Sequence, residues 1–278
     1  MEKHAADRNG ETHAMNRPEN VRAQYGDDRN LSERIKLHNL YSTNPQGYVP
    51  WLFEKYRFAE GDRILELGCG NANQWTGNLD RLPAGCHLTL TDLSEGMVEA
   101  VRVKFAGRGH VTVLRADISH VPFPDGAFDA VIANHMLYHV PDLDGALSEV
   151  ARALKPGGRF YAATNGSNGI HAYLNRALRA VNPGAAAFDD FSFSLQNGGE
   201  ILKRHFGRVE RHDYPDSLRV TVTEDWMDWI RSALSMSNLS EGDLAGLAAH
   251  FEAIRRREGA IAIPKESGLF IAEKGRVQ

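Results

Sequence analysis

The sequence predicts a doubly wound α/β domain built on a mainly parallel sheet, and three observations carry that prediction. Between residues 61 and 164, short apolar runs alternate with helical patterns, which makes right-handed βαβ units with helices on both faces of the sheet. The runs are close to continuously apolar, as in strands buried on both sides. The first of them, ILEL, leads straight into Gly68-Cys69-Gly70, at the carboxyl end where open parallel sheets hold their ligands.

The elements follow in order. Residues 1–30 are charged and poor in apolar side chains, so disorder or weak order is expected there, and they lack the apolar stretch of a signal peptide. Residues 31–60 form a helical segment, with Leu31, Ile35, Leu37 and Leu40 at partial helical spacing. Asn44-Pro45 and Gln46-Gly47 break it, and Trp51, Leu52 and Phe53 give a second apolar face. The core, residues 61–164, carries strand patterns at 63–67, 87–92, 111–117, 128–134 and 159–164. Ser94 is placed to cap a helix whose Met97, Val98, Val101 and Phe105 share a face, and Asp142 to cap one carrying Leu143, Leu147, Val150 and Leu154 before Pro156-Gly157-Gly158. An insert at 165–206 holds a helix through Ile170, Leu174, Ala177 and Leu178. Residues 207–222 supply a sixth strand. A second insert at 223–260 has Thr223 as one cap and Ser240 with Asp243 as another. Residues 261–278 give the last strand, at 268–274, and a tail. The two inserts are expected to cover the sheet.

Composition narrows the function. The chain has 278 residues, a formal net charge of -4 and a sequence pI of about 6.3, so no general basic field draws it to nucleic acid or anionic lipid. Arg255, Arg256 and Arg257 end a helical pattern and read as a solvated, dipole-favoured terminus. No apolar run is long enough to span a bilayer. Cys69 and Cys86 are the two cysteines; they show neither metal-ligand spacing nor a disulfide framework, which fits a reducing cytoplasm.

The ligand at the glycine turn is the central question. A dinucleotide fingerprint needs a third glycine where Asn73 stands, and no Gly-Lys-Ser/Thr follows for a phosphate loop. The run Glu66-Leu67-Gly68-Cys69-Gly70, with Asp92 closing the second strand, resembles the class I S-adenosylmethionine-dependent methyltransferases. So do Ala116-Asp117-Ile118, Pro122-Phe123-Pro124-Asp125, Phe128-Asp129-Ala130-Val131 and Leu154-Lys155-Pro156-Gly157-Gly158. The resemblance implies a Rossmann-like, seven-stranded sheet with the last strand antiparallel, a helical cover, and S-adenosyl-L-methionine as cofactor. It implies that Gly68, Cys69 and Gly70 approach the amino acid tail and that Glu66 supports the turn or the ammonium. Asp92 would accept both ribose hydroxyls, Leu93 and Met97 would flank the adenine, and Asp117 with the Ile118 amide would read its edge. Tyr41, on the segment that closes over the cofactor, and Asn134, at the end of the fourth strand, complete the expected set. Taken alone, Asp92 also reads as a capping acid before Ser94. Ala72 departs from the family, which commonly has a small glycine there.

Methyl transfer from a sulfonium asks first for alignment, and for a base only where the acceptor must lose a proton. His135 and His139, beyond the fourth strand, are the candidate bases, with structural or cofactor-side hydrogen bonding as the competing role. His171, Tyr173, Asn175, His212, Asp213, Tyr214, Trp226 and Trp229 are candidates for an acceptor wall, although Trp226 and Ile230 also fit an ordinary core. The expected function is methyl transfer to an O, N or C centre of a small-molecule acceptor, without nucleic acid or membrane partners. The alternatives are an RNA or protein methyltransferase, and a cofactor-binding protein without transfer activity. The sequence leaves the acceptor and the oligomeric state open.

Overall fold

A computed structural model describes residues 29–234, 237 and 239–276. The expectation of weak order for residues 1–30 falls almost wholly outside that range. Helix α1 (Arg29–Tyr41) and helix α2 (Tyr48–Lys55) precede the sheet. Strands β1 (Arg63–Leu67), β2 (His87–Asp92) and β4 (Phe128–Asn134) stand where the apolar runs predict them. Between β2 and β3 (Val111–Arg115) lies α3 (Glu95–Lys104), and α4 (Leu143–Ala153) leads into β5 (Leu154–Asn165). Next come α5 (Ile170–Val181), the short α6 (Gly198–Lys203), β6 (Arg208–Val220), α7 (Thr223–Ser232), α8 (Glu241–Glu258) and β7 (Ile261–Glu273).

These strands form one seven-stranded sheet in the order β3-β2-β1-β4-β5-β7-β6. β1 to β5 pair in parallel, and β7 runs antiparallel to both β5 and β6. Successive side chains on a strand point to opposite faces, so the core divides. Leu65, Val131 and Phe160 pack with Leu147 of α4 and Leu174 of α5 on one face. Ile64, Ile132 and Tyr161 pack with Trp51, Leu52 and Trp75 on the other.

Four local expectations are corrected. β3 stops at Arg115, and Asp117 instead bridges to His120 in a turn. β5 begins at Leu154, so Pro156-Gly157-Gly158 lies within an irregular strand; Gly157 donates its N–H to the Lys274 carbonyl at 2.9 Å, and β7 thereby draws the turn into the ladder. β7 begins at Ile261, well before residue 268. Pro264 is tolerated because β5 ends opposite Ser267, so at residue 264 β7 has only β6 beside it among the described residues. Thr223 does not cap α7. Its hydroxyl donates to Glu252 of α8 at 2.7 Å and ties the cover helices together. The other caps form as the residue types dictate: Ser94 and Asp142 accept helical N–H groups, and Ser240 with Asp243 makes a full capping box.

Both inserts leave the carboxyl-end edge of the sheet, α5 after β5 and the α7–α8 pair after β6. The β6–β7 ribbon rises past that edge, pairing Asp216 with Lys265 and Val220 with Ile261. No helix among the described residues is long and apolar enough to cross a membrane.

Candidate active site

The sheet changes direction between β1 and β4, and the glycine turn sits at that switch. Gly68 has φ +67°, and a Cβ there would stand 3.0 Å from Cγ of Met136. The backbone conformation favours glycine, and any Cβ there would press on the Met136 side chain. Cys69 donates its N–H to the Thr91 carbonyl at 2.9 Å, which fastens the turn to β2. Asp92 receives the Gly70 N–H on Oδ2 at 2.8 Å and the Ser94 N–H on Oδ1 at 2.9 Å. Burial raises the pKa of Asp92, while the N–H donors of Ser94 and Gly70 oppose that rise. An ionised carboxylate accepts about four hydrogen bonds, so capacity remains for a ligand. Ala72 adopts the left-handed conformation, φ 52° and ψ 33°, where a residue with a Cβ is disfavoured by about 1–2 kcal/mol. The turn thus keeps its glycine-like path despite the substitution.

Glu66, only 3% exposed, accepts from Gln74 Nε2 at 2.6 Å and from the Trp75 indole N–H. Burial pushes its pKa up to about 7 against those donors, with the Asp92 charge adding to the rise. Gln74 Oε1 in turn accepts from Asn134 Nδ2 at 2.9 Å, and the same Asn134 nitrogen donates to the Tyr56 hydroxyl at 2.8 Å. Asn134 Oδ1 is buried without a hydrogen-bond partner among the described residues. This chain of side chains joins the ends of β1 and β4 beneath the turn.

His135 follows with φ +54°, an uncommon conformation for a non-glycine residue and one that recurs at functional sites. Its N–H donates to the Ala163 carbonyl at 2.8 Å, and Nε2 lies 2.8 Å from the Tyr48 hydroxyl. Burial, aided by the Lys265 charge, lowers its pKa to about 4, so the ring is neutral near pH 7. His139 ends a short 3-10 turn, Leu137–His139, with its ring against Tyr138 at 4.6 Å. Burial also pushes the Cys69 thiol well above its usual range, the opposite of what a reactive thiolate needs.

The remaining expected residues divide. Leu93, at the end of β2, is 47% exposed, whereas Met97 and Ile118 are buried. Asp117 Oδ1 accepts the Ser119 N–H at 2.8 Å. Tyr41 joins the cover: its hydroxyl donates to Asp225 of α7 at 2.5 Å. Trp226 and Trp229 stack at 4.9 Å and are buried, which makes them part of the cover's own core. Asn175 holds the loop at 187–188 through its side-chain amide. His171 lies between Phe188 and Phe191, at 3.9 and 4.7 Å, and Phe191 meets Tyr138 at 5.1 Å. His171, Arg176, Arg179 and Phe191 help line a cavity of about 240 Å³ on this flank. Sequence reasoning missed Tyr48, Tyr56, Gln74 and Lys265. Each meets its partners only through the fold, so local spacing carries no signal for them.

The strand order, with an antiparallel strand slipped between β5 and β6, and the acid that ties the turn to the next helix together define a class of nucleoside-binding α/β enzyme. Comparison with known proteins narrows that class. A family model described as a methyltransferase domain matches residues 65–162. A demethylmenaquinone methyltransferase of Listeria monocytogenes is 34% identical over 172 residues, covering 59% of this chain and 73% of the relative. Another, from Clavibacter sepedonicus, is 39% identical over 147 residues, covering 49% of this chain. The chain spans 59% of that relative's length. The solved YcgJ protein of Bacillus subtilis shares the fold with a TM-score of 0.57 at 16% identity, over 82% of this chain and 98% of that one. The chain belongs to the class I S-adenosylmethionine-dependent methyltransferase family.

Proposed function

We propose that this protein transfers the methyl group of S-adenosylmethionine to an O, N or C centre of a small-molecule acceptor. The observation that carries the reading is Asp92, held by the Gly70 and Ser94 amides at the switch point with acceptor capacity left over. The cofactor supplies a methyl group already activated on a sulfonium. The chain's own residues bind and orient. Asp92 takes the ribose hydroxyls, and the backbone of Gly68, Cys69 and Gly70 takes the amino acid tail. Glu66 and the unpartnered Asn134 oxygen suit its ammonium. Leu93 and Met97 flank the adenine, Asp117 and the Ile118 amide receive its polar edge, and Tyr41 closes the N-terminal segment against the cover.

A histidine with a pKa near 4 is a weak base at neutral pH. His135 therefore serves alignment, and His139 is the remaining candidate base. The menaquinone precursor named for the relatives supports an acceptor of metabolite size, as does the absence of a basic excess. A cytoplasmic location fits two free cysteines.

Calorimetry with S-adenosylmethionine, S-adenosylhomocysteine and NAD tests the cofactor, and turnover against a fractionated metabolite pool tests the transfer. Micromolar binding of the first two and none of NAD is expected. Tight NAD binding without a response to S-adenosylmethionine overturns the reading, and binding without turnover on any fraction leaves a cofactor-binding protein.

A further inference from the structure

Lys265 stands on β7 beyond the end of β5, directly opposite Asp216 of β6. Its ammonium lies 2.7 Å from Asp216 Oδ2; the two side chains are 9% and 0% exposed. Asp216 is its only hydrogen-bond partner among the described residues, although an ammonium has three donors. On other sides stand rings: the Tyr48 ring centre at 5.7 Å and the Tyr214 ring centre at 5.3 Å. Cation–π contact offsets part of the burial, but it does not use the remaining N–H groups.

A second donor is idle beside it. The buried Tyr214 hydroxyl makes no hydrogen bond of good geometry among the described residues; Ser42, which opposes the burial-driven rise of its pKa, donates its own proton to Asp216, at 2.8 and 2.9 Å to the two oxygens. Buried donors left unmatched cost about 1–3 kcal/mol each, and in a native protein such groups are met by ordered water, an ion or a ligand. The acidic and basic groups facing Lys265 are Asp216, Tyr48, Tyr214 and the neutral His135, which shares a hydrogen bond with Tyr48. Asp216 is engaged further by the Thr43, Asn44 and Ser217 amides, so its charge is well satisfied while that of Lys265 is not. Tyr48, whose ring faces Lys265, meets His135 at 2.8 Å, so the Lys265–Asp216 pair lies next to the Asn134–His135 corner at the end of β4.

We propose that Lys265, together with the Tyr214 hydroxyl, binds an anionic oxygen of the methyl acceptor. The inference rests on the methyltransferase reading and adds the acceptor's charge to it. The oxygen comes from an ionised hydroxyl or from a carboxylate, and both place a negative charge against the same donors. A neutral acceptor of equal shape leaves them unmatched.

The test uses the full chain saturated with S-adenosylhomocysteine and three probes of similar shape: 4-nitrophenol, 4-nitrobenzoate and the neutral 4-nitroanisole. At least one anion should bind about tenfold or more tighter than 4-nitroanisole. If the source is an ionised hydroxyl, absorbance will show the bound nitrophenol's pKa lowered by about 1–3 units. If it is a carboxylate, 4-nitrobenzoate will be preferred. The double variant Lys265→Met/Asp216→Asn removes the charge without stranding its partner and should abolish the preference for anions. Tyr214→Phe leaves the ion pair intact, guards against misfolding of the double variant, and should reduce the preference by about threefold to tenfold. Equal binding of neutral and anionic probes, no binding of either anion, or a preference that survives in both folded variants overturns the proposal. S-adenosylhomocysteine affinity, measured on the same samples, reports separately on the methyltransferase reading and should not change.

Discussion

Asp92 is bound through different oxygens to Gly70 and Ser94, so one side chain sets the turn and the adjoining helix at the same time. Asp92→Ala should weaken cofactor binding by about 2–4 kcal/mol through the lost charge-assisted contacts, and Asp92→Asn by less. Calorimetry on variants that keep a cooperative melt checks this; unchanged affinity in a folded Asp92→Ala protein excludes the role. Glu66 and His135 make a second, opposed pair. Burial raises the Glu66 pKa from 4.5 to about 7, so the folded state holds the extra proton and stability falls as pH rises through that window. Burial lowers the His135 pKa from 6.5 to about 4, so the unfolded state holds the extra proton and stability rises with pH over nearly the same window. In the cofactor-free protein the two slopes offset each other. Glu66→Gln should expose a stability that increases from about pH 4 to 6.5, and His135→Gln one that decreases from about pH 4.5 to 7. Urea unfolding across pH reads both signs, and matching slopes in the two variants would refute the assignment.

Between α1 and α2, the segment at 42–44 is laid on the edge strand β6. Ser42 bridges to Leu218, the Thr43 N–H donates to the Ser217 carbonyl at 2.9 Å, and Asn44 Nδ2 donates to the Pro215 carbonyl at 2.8 Å. This strap, together with the burial of Leu37, Trp51 and Leu52 in the two cores, holds the N-terminal helices beside the site. Ser42→Ala combined with Asn44→Ala removes hydrogen bonds of about 1 kcal/mol each. Amide exchange in α2 should then accelerate by about tenfold or more while β1 and β4 keep their protection. The cover behaves differently, since its capping box is local. Ser240→Ala should cost about 1 kcal/mol in chemical denaturation and leave exchange in α2 untouched. The sequence exposes these two devices unequally. Ser240 and Asp243 lie three residues apart and announce their cap, whereas Ser42 and Asp216 are joined by a register that only pairing of distant strands creates. The same reason hides Lys265. The glycine turn and Asp92 were legible because each is defined by its position at a strand end.

At the scale of the whole molecule, ligand and fold are linked by mass action. S-adenosylhomocysteine at 100 times its dissociation constant should stabilise the chain by about 2.7 kcal/mol, a rise in Tm of roughly 5–10 °C for a protein of this size. A thermal scan without that shift would argue against a preformed site. The alternation of apolar runs made the parallel half of the sheet readable, but the length of β7 was not, because Pro264 and Lys265 look like a loop until β6 is beside them. The strand order has a further effect on how the chain is made. Among the described residues β6 joins the sheet only through β7, which is synthesised some forty residues later, counted from residue 220 to residue 261. On the ribosome, β1 to β5 emerge in an order that lets each find a neighbour, while until β7 follows β6 has only the segment at 42–44 to pair with and β5 keeps an open edge. The Lys265–Asp216 pair, brought together by that late pairing, is therefore placed only once residues 261–266 have been made, whereas the glycine turn and Asp92 need no more than β1, β2 and β4.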